Sequence, residues 1–315
     1  MADTGPLFVS SGDIIADRRY KWALDHAGRG DLTGAADVLA QTVQLAPRFA
    51  TAWFALGAIR DRLGDRDGAI AAFGQARDLD LDDYHGARLQ LARLGAGEAA
   101  PAMTQAYVRR LFEQYAGSFE TTLTGHLSYR GPAILRDAVE QAMRAAGRPM
   151  RLGAMLDLGC GTGLCGAAFR PLVGRLVGVD LAEAMIAQAE AKGLYDRLVT
   201  AELKDFLAAE SAARENYHIV AAADVFVYVN DLAPVIAAAA RVLAPDGVLA
   251  FTVETHSGGG AKLLPTLRFA HGETSLRATI AAAGLTLCHF GEASIRTENG
   301  APVPGHVVVA SSPPL

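Results

Sequence analysis

The residues best equipped for chemistry lie together in Met155-Leu-Asp157-Leu-Gly159-Cys-Gly161-Thr-Gly163-Leu-Cys-Gly166. A glycine-rich turn lets the backbone approach a ligand closely, because no Cβ stands in the way. A helix starting at such a turn offers free N–H groups to an anion. Asp180 closes the apolar run Leu176-Val-Gly-Val-Asp180. A carboxylate there can accept two hydrogen bonds from ribose hydroxyls. The pattern therefore predicts a nucleotide-type ligand and leaves its identity open. Gly161-Thr-Gly163-Leu-Cys-Gly166 is a literal G-x-G-x-x-G, so a nicotinamide site would carry the same marks. Three features tilt the choice away from it. Asp157 gives D-x-G-x-G-x-G, a helical stretch precedes the unit, and an apparent strand pair ends the chain.

The elements that must position these residues follow from alternation. Apolar runs over 154–158, 175–180, 197–201, 217–223, 247–254, 285–291 and 305–311 predict strands. Amphipathic stretches over 164–171, 182–192, 203–213, 231–243 and 273–283 predict helices. Five strand–helix units imply a parallel α/β sheet covered on both faces. No helical pattern separates the last two strands. The loop 292–304 joins them, which predicts an antiparallel pair.

The N-terminal third follows a different rule. Gly30-Asp31, Gly34-Ala35, Leu39 and Leu45 recur as Gly64-Asp65, Gly68-Ala69, Phe73 and Leu79, at a constant offset of 34 residues. Trp53-x-x-Leu56-Gly57 opens the second copy. This looks like the tetratricopeptide repeat, two antiparallel helices per unit, placed at 16–49 and 50–83 with a capping helix at 84–94. Two units are few for a continuous core, so the array is expected to lean on another domain or a second copy of the chain. Residues 95–101 read as a linker. Beyond it, Val108, Leu111, Phe112 and Tyr115 form a helical stripe. Tyr107, Tyr115, Phe119 and Tyr129 make the segment unusually aromatic, which predicts a lid, and 132–146 reads as another helix.

Composition narrows the function classes. The 315 residues are 51% hydrophobic with a net charge of −5, so no nucleic-acid partner is expected. Apolar runs are broken by Asp224, Pro234 and Arg241, so no membrane span is expected, and no leader is read at the N-terminus. Three cysteines suit a reducing cytoplasm. Cys160 and Cys165 lack a second ligand pair, so no metal site is expected, and Cys288 is read as a core residue.

Taken together, the glycine motif with Asp180 resembles the class I S-adenosylmethionine-dependent methyltransferases. More narrowly, the chain resembles predicted bacterial methyltransferases with N-terminal tetratricopeptide repeats. Tyr107–Phe119, Leu156–Gly163, Ala223–Tyr228, Leu243–Gly247, Phe251–Glu254, Arg268–His271 and Pro302–Gly305 carry this resemblance. It implies a Rossmann-like seven-stranded sheet behind an all-α repeat domain, divided as 1–97 repeats, 98–150 helical lid segment and 151–315 cofactor-binding domain. It implies S-adenosylmethionine bound by Asp157, Gly159, Gly161, Gly163, Asp180, Leu181, Glu202, Leu203 and Asp224, with Tyr115 as the lid residue. His218 and Asp246 depart from the family pattern, which usually has Asp and Gly there.

Methyl transfer needs alignment more than a base, since the sulfonium already carries its leaving group. Where the acceptor must lose a proton, His271 and Asp224 are the candidate bases, with His256 and Tyr228 behind them. Arg268 either meets an acidic acceptor or forms a surface salt bridge. The acceptor is expected to be a small molecule or a group on a carrier or protein. The repeats are expected to recruit a protein partner or a second copy, as a homodimer. A nicotinamide-dependent oxidoreductase and a non-catalytic scaffold stay open as alternatives. If Asp180 holds ribose, Asp180→Ala should weaken cofactor binding severely and leave the thermal melt near that of the wild type.

Overall fold

Gly30 and Gly64 have φ of 83° and 81°, a left-handed conformation that ends one helix and releases the chain into the next. The aspartates that follow cap the new helices. Asp31 accepts a hydrogen bond from the Gly34 N–H, and Asp65 accepts one from the Gly68 N–H. A Cβ at Gly34 or Gly68 would lie 2.3 or 2.0 Å from the other oxygen of the capping carboxylate, so a larger residue would push the cap aside. These caps account for the sequence repeat. The computed structural model describes residues 8–117, 119–121, 129–149, 152–298 and 300–314. It divides the chain into two units, Asp3–Tyr107 and Val108–Leu315.

In the first unit, α1 (Ile14–Gly28) packs on α2 (Leu32–Leu45), and α3 (Ala50–Arg62) on α4 (Arg66–Leu79), with α5 (Ala87–Arg93) against α4. Tyr20, Leu39, Phe49, Leu56 and Phe73 form its buried core. Gly57 lets the Phe73 ring close on α3, since a Cβ there would meet ring carbons at 2.7–2.9 Å. Tyr107, read from sequence as a lid aromatic, lies against Gly86 within this unit.

α6 (Gln105–Tyr115) leads into the second unit, followed by α7 (Phe119–Thr121) and α8 (Gly131–Ala145). Parts of the expected lid, 118 and 122–128, lie outside the described residues. The sheet comprises β1 (Leu152–Leu158), β2 (Val173–Asp180), β3 (Arg197–Thr200), β4 (Tyr217–Ala222), β5 (Leu243–His256), β6 (Ala261–Leu263), β7 (Phe269–Gly272), β8 (Thr286–Ala293) and β11 (Gly305–Ser311). Its main path runs β3-β2-β1-β4-β5-β11-β8. Strands β1 to β5 are parallel, and β11 inserts antiparallel between β5 and β8. β9 (Thr297–Glu298) and β10 (Ala301–Pro302) form a separate small hairpin.

Side chains alternate between two buried faces, as a parallel sheet demands. Met155, Ile219, Val248 and Val307 meet Leu135, Val139 and Met143 of α8. Leu156, Val220, Leu249 and Val308 meet the opposite layer. That layer is built from α11 (Leu203–Ala212), α12 (Ala233–Arg241) and α13 (Glu273–Ala282). α9 (Leu164–Phe169) and α10 (Glu183–Ala191) complete the crossovers.

Two expectations change. The sheet has nine strands rather than seven, because 261–272, given no element from sequence, forms the β6–β7 hairpin beside the end of β5. These strands are three and four residues long, too short for a periodic signal. Cys288 is exposed rather than core, because β8 is the edge strand of the main path. Cys160 and Cys165 are buried free thiols.

Candidate active site

Between β1 and α9 the chain turns through Gly159, Gly161 and Gly163, whose φ values of 62°, 53° and 90° favour glycine. Their tasks differ. A Cβ on Gly159 would press on Val225 at 2.6 Å, so this glycine serves close packing. A Cβ on Gly161 would meet only the Phe119 ring, at 3.8 Å, so this position forms an open cradle.

Asp180 braces the turn. One carboxylate oxygen accepts from the Gly161 N–H and the other from the Ala182 N–H, both at 2.9 Å. Burial raises its carboxyl above the ordinary range, while these N–H donors oppose the rise. Each oxygen keeps a further lone pair for an incoming hydroxyl.

Asp157 lies beneath the turn, almost fully buried. Its Oδ2 accepts from the Tyr195 hydroxyl at 2.7 Å, and its Oδ1 has no partner. Burial pushes this carboxyl up to about 7. Sequence reasoning missed Tyr195. Its ring fills space left by Gly163, Gly166 and Gly178, and a Cβ on Gly166 would come within 2.4 Å of the ring. Gly166 and Gly178 were the available signal, since the ligand turn explains neither.

The remaining sequence candidates separate. Glu202 caps α11, its Oε2 accepting from the Lys204 and Asp205 N–H groups at 2.7 and 3.1 Å. Leu203 packs against the core, and Leu181 is half-buried beside Asp180. Tyr115 packs with Phe112 and Phe119 against Ala116, Ala182 and Met185, so α6 and α7 border the turn after Asp180. Glu113 anchors this arrangement by accepting from the Glu183 N–H at 2.7 Å and the Ala184 N–H at 3.3 Å, at the start of α10. Glu120 pairs with Lys192.

Asp224 follows β4 in a left-handed conformation with φ 59°. Its N–H donates to Thr252 Oγ1 at 2.9 Å. Its Oδ1 accepts from Arg268 Nη1 at 3.0 Å. Arg268 sits in the β6–β7 turn, where the Leu264 N–H donates to its carbonyl at 2.8 Å. The same Nη1 reaches Glu254 Oε1 at 3.3 Å, and Nη2 donates to the Tyr228 hydroxyl at 2.8 Å. Arg296 Nη2 donates to Glu254 Oε1 at 2.6 Å and to Glu298 Oε2 at 3.4 Å. Arg268 forms salt bridges, but in a largely buried cluster rather than at the surface, where the sequence reading had them. The carboxylates around it push its guanidinium further up, despite burial.

His271 lies on β7, where its Nε2 donates to the Phe226 carbonyl at 3.1 Å. Burial lowers its basicity. This ring ties β7 to the stretch that carries Tyr228, and no described contact joins it to Asp224 or Asp180. His256 closes its own loop, its Nδ1 accepting from the Gly258 N–H and its Nε2 donating to the Gly260 carbonyl. The two family departures sit at the far ends of the strands. His218 accepts from the Ala154 N–H and packs on Gly153. Asp246 holds φ 58°, a conformation that suits the glycine usual there. Among the described residues, no group of three His, Cys, Asp or Glu side chains could hold a metal.

Residues 156–251 match the methyltransferase-domain family. The match begins at β1 and ends within β5. Human methyltransferase-like protein 27 is 34% identical over 108 residues, which is 34% of this chain and 42% of that protein. The ubiquinone biosynthesis O-methyltransferase of Rhodopseudomonas palustris (strain TIE-1) is 30% identical over 95 residues, covering 30% of this chain and 37% of its own. The chain thus spans less than half the length of these curated relatives. Among solved structures, the magnesium protoporphyrin IX methyltransferase of Synechocystis PCC 6803 with bound S-adenosylhomocysteine superposes with a TM-score of 0.50 at 18% identity. That match covers 66% of this chain and 99% of that one. The [4+2]-cyclase SpnF also superposes at 0.50, with 15% identity over 67% of this chain and 96% of its own. These structures share the methyltransferase-domain fold, and a cyclase among them shows that fold alone does not name the reaction.

Proposed function

We propose that this protein is an S-adenosylmethionine-dependent methyltransferase acting on a small molecule or on a group delivered by a carrier. One observation carries the reading. The open Gly161 cradle, braced by Asp180, opens a sheet in which antiparallel β11 separates β5 from β8. A nicotinamide dinucleotide fold runs 3-2-1-4-5-6 with all strands parallel, so the sheet order argues against the oxidoreductase. The family match and the relatives' names point the same way.

The residues fit the cofactor. Asp180 has lone pairs for ribose hydroxyls, and Gly161 leaves room for the methionine portion. Leu181 and Leu203 supply apolar surface for adenine, with Glu202 beside them at the start of α11. When bound, S-adenosylmethionine supplies an electrophilic methyl group on a sulfonium. The chain's own task is to hold the acceptor in line and exclude water. Phe112, Tyr115 and Phe119 serve exclusion, and Asp224 faces the reacting end. His271 acts as a positioning residue through the Phe226 carbonyl. The helical pairs of the first unit are of the tetratricopeptide type and engage a protein partner. Ile14, Ile15 and Trp22, exposed on α1, support that role. Among the described residues no helix is long and apolar enough to cross a membrane, and a cytoplasmic location suits the free thiols.

Calorimetric titration with S-adenosylmethionine, S-adenosylhomocysteine, NAD and NADP tests this reading. The expected result is micromolar binding of the two sulfur nucleosides and none of the dinucleotides. Binding of a dinucleotide alone would overturn it.

A further inference from the structure

We propose that the methyl acceptor is a neutral aromatic hydroxyl, held between Asp224 Oδ2 as hydrogen-bond acceptor and the Tyr228 hydroxyl as donor. This rests on the methyltransferase reading above.

The argument starts from the Arg268 fork. One terminal nitrogen holds Asp224 Oδ1 and the other holds the Tyr228 oxygen, so the two side chains lie side by side on one planar guanidinium. Asp224 Oδ2 has no hydrogen bond to any described residue. The Tyr228 hydroxyl accepts from Arg268 and donates to no described group, so its proton is available. The pair thus offers one acceptor and one donor next to each other. A hydroxyl satisfies both, because it donates one proton and accepts at its lone pairs.

Charge excludes anionic and cationic acceptors. Asp224, Glu254 and Glu298 face Arg268 and Arg296 in one cluster, with four of the five side chains at most 13% exposed. Both guanidiniums already serve carboxylates, so neither is free to receive an anionic acceptor. A carboxylate or phosphate beside Asp224 would meet like charge in a poorly hydrated place. A protonated amine suits the charge but has no lone pair with which to attack. Glu254 Oε2 and Arg296 Nε are closed off from solvent without partners, so the cluster has both an acceptor and a donor to spare and calls for no further charge.

Aromatic walls set the shape. Phe112 stands edge-on to Tyr228 with ring centres 5.2 Å apart, and Phe119 stands edge-on to Phe112 at 6.0 Å. Such rings favour a flat partner. On transfer the hydroxyl oxygen gains the methyl carbon and its proton goes to Asp224 Oδ2. The electron pair of the broken carbon–sulfur bond stays on sulfur, leaving a neutral thioether.

The test uses the full chain saturated with S-adenosylhomocysteine and compares catechol with benzoate by ligand-observed NMR titration. Catechol should bind at least about ten-fold more tightly than benzoate, a difference of about 1.4 kcal/mol. Asp224→Asn suits φ 59° and removes the charge, and it should erase most of that preference. Tyr228→Phe keeps the ring and should weaken catechol several-fold while S-adenosylhomocysteine binds as before. This variant decides the matter if Asp224→Asn does not fold. Equal or tighter binding of benzoate to the wild type overturns the proposal. So does failure of both probes on a chain that binds S-adenosylhomocysteine. Failure to bind S-adenosylhomocysteine removes the methyltransferase reading and this proposal with it.

Discussion

Removing the carboxylate of Asp180 tests whether that side chain is a ligand contact or also a structural brace. From sequence alone, Asp180→Ala should weaken cofactor binding severely and leave stability near that of the wild type. The structure changes the second half. The carboxylate satisfies the N–H groups of Gly161 and Ala182, both at 2.9 Å in a nearly buried site. Leaving a buried donor unpaired costs about 1–3 kcal/mol, so two such losses come to roughly 2–6 kcal/mol. Relief of the buried charge offsets part of this, which leaves about 3 kcal/mol. For a unit of this size each kcal/mol moves Tm by about 2–4 °C, so Asp180→Ala should melt roughly 6–12 °C below wild type. Asp180→Asn keeps one acceptor and should lose about half as much. Thermal unfolding followed by circular dichroism, without ligand, measures the loss. Titration with S-adenosylhomocysteine at a temperature where the variants are folded then reads the contact separately. An Asp180→Ala chain that melts with wild type would refute the brace, whatever its affinity.

Three further outcomes are expected. Asp157 keeps its proton in the folded chain up to about pH 7 but in the unfolded chain only to about 4, so its contribution is present below pH 4 and is lost as pH rises towards 7. Asp157→Asn should therefore gain stability relative to wild type between pH 5 and 8, by up to about 4 kcal/mol, as read from paired melts; a pH-independent difference would show that Asp157 is ionised throughout. Gly57→Ala places a methyl within 2.7 Å of the Phe73 ring and should destabilise the helical unit by about 1–3 kcal/mol. Denaturant unfolding with Trp53 fluorescence would report it, and an unchanged midpoint would contradict the close approach of α3 and α4. Glu113→Ala uncaps α10 and should cost about 1 kcal/mol while weakening S-adenosylhomocysteine several-fold in calorimetry; intact affinity would mean that α6 is packing and not lid.

How much was legible in the chain depended on how local each cause was. The strands β1, β2, β4, β5 and β11 could be read because burial on both faces makes them continuous apolar runs. The glycine turn and Asp180 could be read because a left-handed backbone and a strand-end carboxylate leave marks at fixed spacing. The 34-residue repeat was visible, but the reason for Gly34 and Gly68 was not. It lies in the volume of the Asp31 and Asp65 carboxylates folded over them. The β6–β7 hairpin was missed because strands of three and four residues carry too little period to be seen.

The sequence by itself determined the α/β class, the order of the longer helices and strands, and the position of the glycine turn. These depend on residue type and on neighbours a few positions away. Only the tertiary structure decided which side chains meet. It joined Tyr195 to Asp157 and Glu113 to α10 across 38 and 70 residues of chain. It turned His271 onto the Phe226 carbonyl, and it gathered Asp224, Tyr228 and Arg268 into one cluster. Such contacts are made by the register of the sheet and the direction of each Cβ. A single residue of slip would send those side chains to the opposite face, and no local spacing encodes that choice.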